Sequence, residues 1–428
     1  MYKTKLSSFI SEYGDGIHGT PIYSDDGEYF FINGNNLEKG IIVIDEDTLK
    51  IDYEQFRKIS RPLNDRTVLL SINGTLGNTA FYRGENVALG KSACYINIKS
   101  EYSKEFFRYI LTTKEFQKYM LRVAHGSTIK NFAPSQVGEY EVELPDIEEH
   151  ENIAKLLSSI DDKIFNNNLI CDDLEGMAKL LYDYWFVQFD FPDENGKPYK
   201  SSGGKMVWNE ELKREIPDGW ETGSVGNHVS VRRGVSYNSN DIIGNGIPML
   251  NLNSFNTDAT YKESGIKTYS GDFSNDKIVS PYDLIICATQ QTDIDLSGKT
   301  NVIGKALLVP DIFESPIITS MDVITLICDD SFNKYYLRAT INTPFYHKFI
   351  VGFANGTKIK HLDISGLLNM QHEIPPNGIM SKYSSVIELF EKEKSKIIRE
   401  NQELASLRDF LLPMLMNGQV TVKKGETQ

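Results

Sequence analysis

The sequence is poor in cysteine. Its four (Cys94, Cys171, Cys287, Cys328) stand far apart in 428 residues, with no CxxC pair. That excludes a zinc ribbon and a disulfide framework, and predicts a reducing, cytoplasmic setting. No apolar run approaches the roughly 18 residues of a membrane span, and the start MYKTKLSSFISEYGDG shows no apolar signal segment. Reaction centres are missing too. The seven histidines are scattered without HExxH spacing, and there is no GxSxG and no Asn-Pro-Pro-aromatic tetrapeptide. Gly14 to Gly19 fits GxGxxG by letter but neither follows a clear strand nor opens a helix. Gly84 to Gly90-Lys91-Ser92 has one residue too many for a phosphate loop and precedes a strand. The expectation is no catalytic residue, no metal site and no cofactor bound by this chain. A basic excess is also lacking: 45 Lys and Arg face 59 Asp and Glu, for a net charge of -14. Taken alone that counts against nucleic acid. Residues 146–215 carry 8 basic and 16 acidic residues, more than half of the surplus. The rest of the chain is closer to neutral, which leaves room for local basic surface.

What is present is a globular composition, 40% hydrophobic and 24% charged, long enough for two or three domains. It also contains a repeat. Residues 107–145 align with 337–375 at a constant offset of 230, without a gap. Ten of the 39 positions are identical, among them Arg108/Arg338, Thr113/Thr343, Gly126/Gly356 and Lys130/Lys360. Composition alone would give roughly two or three. FINGNNL at 31–37 echoes MLNLNSF at 249–255 at offset 218. The chain is therefore a duplication, with loop insertions in the second copy.

Each copy ends in a heptad pattern. Ile153, Leu157, Ile160, Ile164, Asn167, Cys171, Leu174, Ala178, Leu181 and Trp185 recur at spacings of four and three. The second seam runs Tyr383, Ile387, Phe390, Lys394, Ile397, Asn401, Leu404, Leu411, weakened at Lys394 and Arg408. Each seam carries an asparagine, which fixes register if buried or marks a turn if exposed. Pro413 is expected to end or kink the second rod. The predicted order is a mixed α/β domain over 1–147, a helical spacer over 148–188, and a Gly/Ser/Pro-rich linker over 189–215. A second mixed domain over 216–376, a second spacer over 377–418 and a tail over 419–428 follow. The fold class is α+β, with two duplicated mixed α/β domains and two long, antiparallel coiled-coil helices. Predicted strands include Tyr29–Ile32, Thr67–Ile72, Ala93–Ile98, Leu284–Ala288 and Val323–Cys328, and one helix is predicted over Lys104–Ala124.

Four stretches carry a family resemblance. They are the junction FDFP (189–192) through GKPYKSSGG (196–204) to Trp208 and IPDGWE (216–221), the segment GIHGTPIYSDDGEYFFINGNNL (16–37), GST-x-K (126–130) with Gly356-Thr357-Lys358, and the ending LLPMLMNG (411–418). Together they resemble the specificity subunit of a type I restriction–modification system. The resemblance implies a non-catalytic subunit whose two domains read the halves of a split double-stranded DNA site. Its helices measure the unread gap and dock two methyltransferase subunits, and two motor-nuclease (restriction/translocase) subunits complete the complex. S-adenosylmethionine, ATP and Mg2+ are then expected in the partners. Candidate DNA contacts are Ser127, Thr128, Lys130 and Asn131, with Thr357, Lys358, Lys360 and His361 in the second copy. Asn33, Asn35, Asn36, Asn251 and Asn253 carry amides able to read adenine, although turn chemistry explains them equally well. Arg232, Arg233, Gln290 and Gln291 complete the set. The competing reading is a coiled-coil scaffold with two non-DNA ligand-binding heads.

Overall fold

The computed structural model describes residues 1–45, 48–126, 130–242, 244–291, 302–330, 332–357 and 359–422. Two compact units divide it: Met1–Phe165 with Gln402–Gln428, and Asn166–Asn401. Both boundaries fall inside long helices.

The duplication is carried into topology. In the first copy a four-stranded antiparallel sheet runs in the order Ile10–Asp15, Ala93–Ile98, Thr67–Ser71, Thr79–Phe81. In the second the order is Val229–Arg233, Val323–Cys328, Leu284–Cys287, Ala306–Leu308. A smaller sheet accompanies each, built on a parallel pair: Tyr29–Ile32 beside Val87–Leu89, and Ile247–Leu250 beside Ile317–Thr319. Central strands such as Thr67–Ser71 and Leu284–Cys287 are buried along their whole length. That is why they read as continuous apolar runs rather than alternating ones.

The single helix predicted over Lys104–Ala124 is two helices, Lys104–Thr112 and Lys114–Val123. Thr113 breaks it. Its backbone turns extended and its hydroxyl accepts from the Phe116 amide at 3.3 Å, starting a new helix. Thr343 repeats the device between Lys334–Asn342 and Pro344–Val351, with Pro344 at the first helical position.

The long helices span Ile147–Tyr182 and Asn377–Met416. Ile153, Leu157, Ile160, Asn167, Ile387 and Ile397 are buried, and Ile164, Leu174, Leu181, Phe390, Asn401, Leu404 and Leu411 are half-buried. No turn interrupts Asn167. Its Nδ2 donates to Asn401 Oδ1 at 2.8 Å and to Glu400 at 2.7 Å, which sets antiparallel register within the second unit. The helix also runs on through Pro413. Burial of Leu412, Leu415 and Met416 in the first unit's core outweighs the roughly 3 kcal/mol cost of an internal proline. Gly418, at φ +69, follows the helix end instead.

The segment expected as a linker is folded. Phe189 and Phe191 are buried in the second unit's core beside Trp220. The Asp190 carboxylate accepts from the Ser201 amide at 2.7 Å and its hydroxyl at 2.6 Å. Met206–Asn209 then pairs with Arg214–Pro217 as a hairpin. Aromatic burial and a capped turn replace the loose connection that its Gly, Ser and Pro content suggested.

Candidate nucleic-acid interface

In both copies the chain leaves the second short helix and folds into a small hairpin. His125 and Asn131 exchange backbone hydrogen bonds at 2.9 and 2.7 Å. Asn355 and His361, 230 residues on, form the same antiparallel pair. Gly126 (φ +106) and Gly356 (φ +128) make the turn in a region that L side chains avoid. A Cβ on Gly356 would lie 2.0 Å from the Ile359 carbonyl oxygen. Each hairpin also pairs with the segment following a central strand. Asn131 bridges Asn73 in the first copy. In the second, Thr289, Gln290 and Gln291 pair with His361, Lys360 and Ile359. In the second copy two sequence segments picked out separately, around Gln290 and around Lys360, thus meet at one edge. Lys130, Asn131, Thr357 and His361 are exposed on the hairpins, and Lys360 is half-buried. Ser127, Thr128 and Lys358 lie outside the described residues, and Gln291 is placed by its backbone alone.

Several candidates are engaged elsewhere. Asn33 and Asn36 form a reciprocal cap around a short 3-10 turn, Asn33 also accepts from the Ser92 hydroxyl, and the Asn36 amide donates to the Val43 carbonyl. Asn251 is 1% exposed and caps the equivalent turn, its amide donating to the Gly265 carbonyl at 2.6 Å. These amides hold turns. Gln290 is buried, its side-chain oxygen accepting from the Val302 and Ile303 amides. Arg232 donates to the Ile278 carbonyl at 3.0 Å. Asn35, Asn253 and Arg233 remain exposed.

Sequence reasoning missed what fixes each domain to the helices. Asp161 receives Arg108 at 3.1 Å, Arg408 at 2.7 Å and the Tyr109 hydroxyl at 2.7 Å. In the second unit Arg338 meets Glu175 at 2.6 Å and Glu391 at 3.4 Å, while Lys394 bridges the same two carboxylates at 2.6 and 2.7 Å. Burial alone would raise the Asp161 and Glu175 carboxyls, but the surrounding cations overcome it. Asp161 is lowered and Glu175 is drawn down to about 2. Lys394 and Arg408, which interrupt the apolar seam, are therefore partners of buried carboxylates. The one available signal was that Arg108 and Arg338 are repeat identities.

Burial pushes the thiols of Cys171, Cys287 and Cys328 up to about 11, 12 and 12, leaving none poised as a nucleophile at neutral pH. Among the described residues no group of three or more His, Cys, Asp or Glu is placed to hold a metal ion, and no helix is long and apolar enough to cross a membrane.

Comparison with known proteins gives the class. Residues 20–175 match the type I restriction modification DNA specificity domain. The type I restriction enzyme MjaIX specificity subunit of Methanocaldococcus jannaschii is 28% identical over 366 residues, 84% of this chain and 78% of that one. The HindI specificity subunit of Haemophilus influenzae is 21% identical over 74% of this chain and 77% of its own length. A crystal structure of a type I restriction–modification S subunit from M. genitalium shares the fold. Its TM-score is 0.55 at 15% identity, over 97% of this chain and 96% of that one. Residues 20–175 thus match a DNA specificity domain, and over most of its length the chain is similar to type I restriction–modification specificity subunits.

Proposed function

We propose that this chain is the reading subunit of a type I restriction–modification complex, without chemistry of its own. Each copy reads one half of a split duplex site with the surface around its glycine-turned hairpin. The observation that carries this is the recurrence of one arrangement, hairpin against strand edge, in two domains with different residues. His125 and Asn131 stand in one and Asn355 and His361 in the other, around a lysine common to both, Lys130 and Lys360. Equivalent frames with different side chains are what two unlike half-sites require. Two methyltransferase subunits dock on the long helices and two restriction/translocase subunits join them. S-adenosylmethionine, ATP and Mg2+ belong to those partners, in the cytoplasm. Supporting the docking, Met177 and Leu180 are exposed on the first long helix, and Leu407 and Phe410 are exposed 230 residues later on the second. Matched apolar pairs suit two copies of one partner. In this reading the helices also carry the measure of the unread gap.

Methylome sequencing of cells expressing the chain with its cognate methyltransferase subunit tests the proposal. The expected result is a new split motif with N6-methyladenine in both halves. Confirmed assembly with no new motif would overturn it.

A further inference from the structure

The chain is acidic, yet the charge beside the hairpins has the other sign. Residues 104–132 hold six Lys or Arg against two acids, and residues 334–362 hold five against none. Arg108 and Arg338 are buried and paired, so they add nothing to the outer surface. The others do. On the helix Lys114–Val123, Lys114, Lys118 and Arg122 stand four residues apart and share one face. All three are exposed, while Phe116 and Met120 bury the opposite side in the core. The helix leads through Ala124 straight into the hairpin that displays Lys130. The second copy keeps the element and alters its dress. Lys348 stands in the place of Lys118 and Lys360 in that of Lys130, and Lys348 is exposed. The flanking cations are replaced by Pro344 and Gly352. This copy instead exposes Phe345, Phe349 and Phe353, the first of them 75% exposed.

We infer that the second short helix of each recognition domain grips the DNA backbone. Lys114, Lys118 and Arg122 are the phosphate contacts in the first domain and Lys348 is the one in the second. This rests on the DNA-reading function proposed above. Cations at i, i+4, i+8 on a rigid helix meet phosphates without regard to sequence, which leaves the adjoining hairpin for the bases. The two domains then hold DNA unequally. The first relies on three charges. The second relies on one, beside an aromatic face. The arrangement also reconciles a net charge of -14 with binding to a polyanion, since the positive residues are gathered where the duplex would lie.

The test uses the chain assembled with its methyltransferase partners, on a duplex carrying its methylated motif and on a scrambled duplex, across a range of salt. Each phosphate contact contributes about 0.9 to the slope of log affinity against log salt. The triple variant Lys114→Ala/Lys118→Ala/Arg122→Ala should flatten that slope by about 2.7, and Lys348→Ala by about 0.9, on both duplexes alike. The double variant Lys114→Arg/Lys118→Arg, which keeps the charge, should restore the wild-type slope. A triple variant that unfolds at the wild-type temperature with an unchanged slope would overturn the inference while leaving the reading function standing. So would one that changes the methylated motif. If the wild-type complex shows no preference for its motif, the reading function falls first and this inference with it.

Discussion

Arg338 pairs with Glu391 at 3.4 Å, and 230 residues earlier Arg108 pairs with Asp161 at 3.1 Å. Both members shift by the same offset, so the duplication preserved a buried contact between recognition domain and helix. The third partner differs. Arg408 completes the first cluster with a cation, and Glu175 and Lys394 complete the second.

Removing Arg338 leaves the Glu175 and Glu391 carboxylates to share a single cation, Lys394. Arg338→Ala should destabilise the second unit by about 3–5 kcal/mol. Arg108→Ala should cost less, because Asp161 keeps Arg408. Chemical denaturation of the two variants tests the order, and equal losses would refute it.

The helix register should depend on Asn167. Asn167→Ala leaves Asn401 and Glu400 short of a donor and should lower stability by about 1–3 kcal/mol. Replacing both asparagines by leucine should recover that loss, since an apolar seam needs no donor. Thermal unfolding of single and double variants decides it; a double variant weaker than the single one would exclude a register role.

Acid should weaken the second unit early. Burial draws His347 and His372 down to about 4. The unfolded chain takes up these protons first as pH falls. Their contribution is therefore complete above roughly 6.5 and is lost progressively down to about 4. Glu175, held at about 2, keeps its contribution until pH falls below roughly 4.5 and loses it towards 2. Hydrogen exchange at pH 7 and pH 5 should show the helix Lys334–Asn342 losing protection. His372→Gln should make the loss shallower, and identical protection at both pH values would contradict the account.

Gly356 has no room for a side chain. Gly356→Ala should cost about 1 kcal/mol or more in backbone strain alone, shift the hairpin, and reduce motif methylation at least tenfold with helix content unchanged. Wild-type methylation by this variant would show that the hairpin takes no part in reading.

Docking should follow the repeat. In purified complexes Leu180→Asp and Phe410→Asp should each remove one methyltransferase copy, and the double variant both, as read by native mass spectrometry. Full occupancy in the double variant would place the docking surface elsewhere.

The sequence alone determined the duplication, the helix seams and most central strands, because these rest on periodicity and identity at a fixed offset. Tyr29–Ile32, Ala93–Ile98 and Val323–Cys328 stand where their apolar runs predict them. It also offered both hairpin segments as candidates through their shared glycines and lysines. Only the tertiary structure decided which polar groups are free. Asn33 and Asn35 look alike in a sequence, but one is fixed in a cap and the other is exposed, because the turn around them selects which amide faces the backbone. The same holds for Lys394 and Arg408. Along the chain they interrupt a hydrophobic seam. In space they neutralise carboxylates that arrive from 219 and 247 residues away. Pro413 and the 189–215 segment make the point again, since local propensity argued for a break and a loose linker. Burial of Leu412, Leu415, Phe189 and Phe191 outweighed it. Propensity is a property of neighbours in sequence, and burial is a property of neighbours in space.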